Sequence, residues 1–185
     1  MTKMKRMAIL FVLLLMISLA CVGNSTNART FDSEDFSFTI PAGWKTTQEI
    51  WGDAAVSGQE YKGLGVQEAV TIQYPAKKGK GTMFFVVAVS PLEEGQSLAS
   101  RFSDAYKDPQ PEIREESRKG FVQGTFSGFE ITYERPWGEP WWKFRDVWLE
   151  KDGRVYLLSF YCSPASFDAN QAAFEEILAS FQFLE

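Results

Sequence analysis

The sequence predicts an α+β fold, a mostly antiparallel β-sheet with covering helices. Three observations carry that reading. Apolar and polar residues alternate with period two in segment after segment between residues 31 and 185. Turn-forming residues (Pro41-Ala42-Gly43, Lys151-Asp152-Gly153) cut the alternation into short strands. Two segments switch to helical spacing, and a helix with an apolar stripe must lie across a sheet face.

The first strand is Phe36, Phe38 and Ile40 alternating with Ser37 and Thr39, ended before Trp44. Residues 45–65 are mixed in polarity and glycine-rich, which predicts a long loop with a short strand near Ile50-Trp51. Glu68–Tyr74 and Thr82–Ser90 are β-rich runs joined through Lys77-Lys78-Gly79-Lys80-Gly81, a hairpin with a basic tip. The second run, Met83–Val89, is apolar on both faces and is expected at the sheet centre.

Ser97 is placed to cap a helix that presents Leu98, Phe102 and Ala105 or Tyr106 on one face. Strands are then expected at about 112–122, 126–135 and 141–150, and a tight Asp152-Gly153 turn returns the last into 154–162. Ser166 opens a closing helix whose Phe174, Ile177, Leu178 and Phe181 form an i, i+3, i+4, i+7 stripe. No internal repeat is evident.

The first twenty residues do a different job. Lys3, Lys5 and Arg6 precede Met7–Leu19, an apolar run well short of the roughly 20 residues that span a bilayer core. That layout reads as an export signal over residues 1–20. Residues 21–30 read as a short flexible tether, and residues 31–185 as one domain large enough to enclose a core. The run ends in Ile17-Ser18-Leu19-Ala20-Cys21, which resembles the lipobox of prokaryotic lipoproteins; the resemblance implies lipidation of Cys21. Ordinary cleavage after Ser18-x-Ala20, or near Thr26-Asn27-Ala28, is the rival reading.

Without the signal, 16 basic residues stand against 24 acidic ones, a charge of −8. Nucleic-acid binding is not expected of so acidic a chain. The sequence has no histidine, which removes the commonest general base and the commonest transition-metal ligand. No catalytic constellation, metal site or cofactor is expected. Cys162, in an apolar strand, reads as a buried inert thiol.

Phe36-Ser-Phe-Thr-Ile-Pro-Ala-Gly-Trp44 resembles the opening strand of PsbP-like domains. Asp152–Phe160, then Phe167, Phe174 and Ser180-Phe181-Gln182-Phe183, resemble the closing hairpin strand, helix and short strand of the same superfamily. The resemblance to the PsbP, Mog1 and DcrB-like proteins implies an α/β/α sandwich and a non-enzymatic binding or assembly role. In plant PsbP proteins histidines are implicated in contacts, and this chain has none, so a photosystem role is not carried across.

The most unusual local composition is Tyr133–Trp142 followed by Trp148, with four of six tryptophans. Trp137 and Trp141 flank the Gly138-Glu139-Pro140 turn, where a pair of indoles suits stacking or anchoring a partner; Trp51 is a candidate for the other wall of the same groove. Positions 142, 144 and 148 share a strand face, which favours core for Trp142 and Trp148. Glu93-Glu94 and Glu115-Glu116 read as solvated surface, because neighbouring strand residues point to opposite faces. The tip lysines read as a soluble hairpin tip, with contact to anionic headgroups the sharper alternative.

The expected function is a lipid-anchored, non-catalytic extracytoplasmic binding or assembly module, with a membrane (through Cys21) and an unidentified protein as partners. The alternative is an extracytoplasmic hydrolase, which requires two carboxylates about 5–9.5 Å apart in one pocket.

Overall fold

The computed structural model describes residues 27–50, 65–75, 81–107, 113–136 and 141–185, with the backbone alone for residues 48–50. In chain order the elements are β1 (Arg29–Asp32), β2 (Phe36–Ile40), β3 (Lys45–Ile50), β4 (Glu68–Tyr74), β5 (Met83–Pro91), α1 (Leu98–Ala105), β6 (Arg114–Gln123), β7 (Phe126–Pro136), β8 (Trp141–Lys151), β9 (Arg154–Cys162), α2 (Pro164–Ser180) and β10 (Gln182–Phe183). The expected α+β class is what forms.

Seven strands make the main sheet in the order β3-β4-β5-β9-β8-β7-β6, and every pairing in it is antiparallel. A second sheet, β1-β2-β10, has three strands. The apolar run of β5 sits between β4 and β9, buried on both faces, which is why it does not alternate. Asp152 and Gly153 both take positive φ, 53° and 72°, the primed-turn backbone that matches strand twist in a two-residue hairpin.

The sheet separates two cores. On one face Phe85, Val87, Leu158 and Phe160 meet Phe167, Phe174, Ile177 and Leu178 of α2, and Phe36, Phe38 and Ile40 of β2. On the other, Ile131, Tyr133, Phe144, Trp148 and Leu157 meet Leu98 and Phe102 of α1. Each fully buried aromatic or aliphatic side chain contributes roughly 1.5–3 kcal/mol by leaving water. β10 pairs with β2 through Gln182–Ser37 and Phe183–Phe36, and Ser180 Oγ accepts from the Thr39 amide at 2.8 Å, so β2 and β10, far apart in sequence, close one layer.

Helix α1 starts as its sequence suggests. Ser97 Oγ accepts from the Ser100 amide and Ser100 Oγ from the Ser97 amide, a reciprocal cap that satisfies two otherwise orphaned donors.

Four expectations need correction. Residues 45–50 are strand rather than loop: β3 is an edge strand paired to β4, with a register shift between Thr46 and Gln48. Its sequence, Lys-Thr-Thr-Gln-Glu-Ile, hides it, because five of the six residues are polar and no apolar alternation shows. β1 takes in Arg29 and Thr30, paired to Ile40 and Thr39, so the first strand begins two residues before the expected domain start at residue 31. β1 itself was not expected, since only Phe31 in it is buried. Finally, α2 begins at Pro164 behind Ser163 rather than at Ser166; proline's fixed φ suits the first helical position.

Candidate functional site

The tryptophan-rich segment is built by the end of β7 and the start of β8, where Pro136 pairs with Trp141 and Arg135 with Trp142. Strand parity puts neighbouring indoles on opposite faces. Trp141 lies on the α2 side, half-buried, with the Arg114 guanidinium 3.9 Å from its ring centroid. Trp142 lies on the α1 side, half-buried against Phe84 and Tyr161, at centroid distances of 5.9 and 6.0 Å. Trp148 is core, at 2% exposure. Positions 142, 144 and 148 therefore share a face as expected, with burial deepening from Trp142 to Trp148. Trp137, Trp51 and Cys21 lie outside the described residues, as do the hairpin-tip lysines.

Beneath α1 is a polar network that alternation alone does not announce. Asp146 is 3% exposed. Its Oδ2 accepts from the hydroxyls of Tyr106 at 2.6 Å and Tyr133 at 3.0 Å, and its Oδ1 from Ser159 at 2.5 Å. Trp148 Nε1 donates to the Tyr106 oxygen at 3.0 Å. One carboxylate thus ties α1's last turn to β7, β8 and β9. Burial raises the Asp146 pKa above the ordinary carboxylate value, while the three hydroxyls and the Arg135 charge pull it back in part. Burial also pushes the Tyr106 and Tyr133 phenols well above their ordinary value, and the Asp146 charge adds to both shifts. The signal for this network was parity: Asp146 stands at an inward position between Phe144 and Trp148.

A second network occupies the other face. Glu130, 4% exposed, pairs with Arg145 at 3.0 Å and Lys119 at 3.1 Å. Arg145 also bonds Gln171 and Glu175 of α2 and lies over the Phe174 ring. Burial pulls its guanidinium pKa down, but Glu130 and Glu175 outweigh that and hold it above the ordinary value. At the far end of β9, Arg154 bridges Asp35 and Glu68 and locks the small sheet to the large one.

Chemically these groups brace the fold. Asp146 has each oxygen engaged by hydroxyl donors, and Glu130 each oxygen engaged by a cation. The two are also on opposite faces, since Glu130 pairs in register with Val147 and Asp146 with Ile131, members of different cores. Among the described residues no group of three or more Cys, Asp or Glu side chains is placed to hold a metal ion. Glu93, Glu94, Glu115 and Glu116 are exposed, the last two paired with Arg118 and Lys143. Cys162 is fully buried, and burial, with a smaller push from Asp168, drives its thiol up to about 12.

No protein-family description matches the sequence, and no curated protein matches it. Solved structures do. The chain is similar to cyanobacterial PsbP (CyanoP) from Synechocystis sp. PCC 6803, with a TM-score of 0.58 and 13% identity over 89% of this chain and 96% of that one. It is similar to LpqN of Mycobacterium tuberculosis, described as involved in cell envelope biogenesis, with a TM-score of 0.55 and 13% identity over 85% and 86% of the chains. Mog1 aligns with a TM-score of 0.51 and 11% identity over 86% and 97%. Identities this low speak for fold alone. The fold is therefore of the PsbP/Mog1 α+β kind, as the motifs at Phe36–Trp44 and Asp152–Phe183 imply.

Proposed function

We propose that the protein is a lipid-anchored binding or assembly module that works outside the cytoplasmic membrane without catalysing a reaction. The observation that carries this reading is Cys21, placed directly behind a basic start and an apolar run too short to span a bilayer. The envelope association stated for LpqN supports the location. The internal pairing of Asp146 and Glu130, on opposite faces, supports a non-catalytic role, because a carboxylate hydrolase needs two acids facing one site.

Detergent phase partitioning of wild type and Cys21→Ser, with crosslinking from native membranes, tests the proposal. Wild type partitions with detergent and recovers a crosslinked envelope protein; Cys21→Ser moves to the aqueous phase. A Cys21→Ser chain that stays in the detergent phase contradicts the anchor.

A further inference from the structure

We infer that the end of the sandwich from which the N-terminal segment leaves is a docking surface for anionic lipid headgroups, so that the domain stands on the bilayer in one orientation. This rests on the lipid-anchor reading and adds a geometry to it.

The register defines that end. Lys45 opens β3 opposite Gln73, Tyr74 pairs with Met83, Met83 with Cys162, Cys162 with Lys143, Trp141 with Pro136, and Arg114 with Glu134. Arg29, the first residue of β1, donates from Nη2 to Thr46 Oγ1 at 3.1 Å. The chain therefore arrives from Cys21 at this end. Eight residue steps separate Cys21 from Arg29, and at roughly 3.3–3.6 Å per residue they reach at most ~29 Å. A lipid on Cys21 keeps Arg29 within that reach of the bilayer, and the orientation is then set by the charges at the two ends.

The two ends differ in sign. Arg29, Lys45 and Arg114 are exposed at the tether end, joined by Arg135 and Lys143, against Glu115, Glu116, Glu134 and Asp168. At the opposite end Asp32, Asp35, Glu68, Glu93, Glu94 and Asp152 outnumber Lys151 and Arg154. An anionic surface repels a chain of net charge −8 as a whole, but screening over about 8 Å makes the near end decisive. Attraction of the basic end and repulsion of the acidic end act as one torque, setting the strands upright on the surface.

The apolar chemistry at the tether end fits the same partner. Trp141 and Trp142, half-buried on the two faces of β8's first residues, sit among arginines. Arg114 lies over Trp141 and Arg135 over Phe144, at 3.9 and 4.5 Å. Indoles with cations beside them are what a membrane–water interface concentrates, the ring at headgroup depth and the charge on phosphate.

The test uses the full acylated chain reconstituted in phosphatidylglycerol–phosphatidylcholine vesicles that carry a headgroup energy acceptor. A donor fluorophore is attached at Thr47→Cys, near the tether end, or at Glu94→Cys, at the far end; buried Cys162 does not compete for label. Strands of nine to eleven residues separate the two ends by roughly 30 Å, so transfer from position 47 is expected to exceed that from 94 at least ~3-fold at low salt. About 0.5 M salt, or Arg29→Glu, Lys45→Glu and Arg114→Glu together, brings the two toward equality while the chain stays vesicle-bound; the salt arm does not depend on a variant folding. Equal transfer from both positions in a vesicle-bound chain at low salt overturns the docking and leaves the anchor standing. A chain recovered free of vesicles overturns the anchor and the docking with it. A difference seen in native membranes and absent from pure lipid vesicles assigns this end to a protein and overturns the lipid partner.

Discussion

The Tyr106 hydroxyl, at the end of α1, donates to Asp146 Oδ2 of β8 across 2.6 Å, the contact that fastens the short helix to the sheet. Eight residues of helix with only Leu98 and Phe102 buried make a small apolar footprint, so one strong hydrogen bond matters. Tyr106→Phe is expected to lower unfolding stability by about 1–2 kcal/mol in denaturant melts. In an Asp146→Ala background the same change costs less, the remainder being the Trp148 Nε1 donor left without its acceptor. Equal losses in both backgrounds would show that the two residues are not coupled.

Asp146 also sets a pH dependence. Its pKa is raised on folding, so between the ordinary carboxylate value and its folded value the native state keeps a proton that the unfolded chain has lost. Its contribution is therefore full below about pH 4 and declines as pH rises through the folded value. Subtracting the stability of Asp146→Asn from that of wild type at each pH isolates this slope. A difference that grows with pH over that window contradicts the assignment.

Cys162 is expected to stay unlabelled by a bulky maleimide at pH 8 in folded Cys21→Ser protein. A thiol held at about 12 is ionised there to about one part in ten thousand, and the sulfur is fully buried. Labelling within minutes in denaturant and none over hours without it is the predicted pattern. Rapid labelling of the folded chain would place the thiol at the surface.

Gly128 lies where β7 passes β8 too closely for a side chain. A Cβ there would stand 1.9 Å from the Trp148 carbonyl oxygen, so Gly128→Ala must displace one backbone or the other. A loss of about 3 kcal/mol or more is expected. Gly120→Ala, with nothing within 4 Å of its added Cβ, is the control and should stay within about 0.5 kcal/mol of wild type. Equal melting temperatures for the two variants would contradict the close approach.

Much of the fold was legible because burial on one face imposes a period. Phe36, Phe38 and Ile40, the Asp152-Gly153 turn and Phe174, Ile177 and Leu178 each lie where spacing alone puts them, while Phe181 is buried but stands past the helix end in extended backbone. β1 escaped because it buries only Phe31, and β3 because five of its six residues are polar, so neither carries such a rhythm. The site was less legible. The partners of Asp146 come from positions 106, 133 and 159, and no local pattern reports hydrogen bonds between elements so far apart in sequence. Trp141 and Trp142 were visible as an unusual pair, and the strand expected at 141–150 already sets them on opposite faces; that both are half-buried did not follow from spacing.

The central claim is a lipid on Cys21, and mass spectrometry of the mature N-terminal peptide tests it most directly. The account predicts a peptide beginning at Cys21 and carrying thioether-linked diacylglycerol. A peptide beginning at Cys21 without added mass, or one beginning downstream after Ala28, would show ordinary cleavage and contradict the anchor.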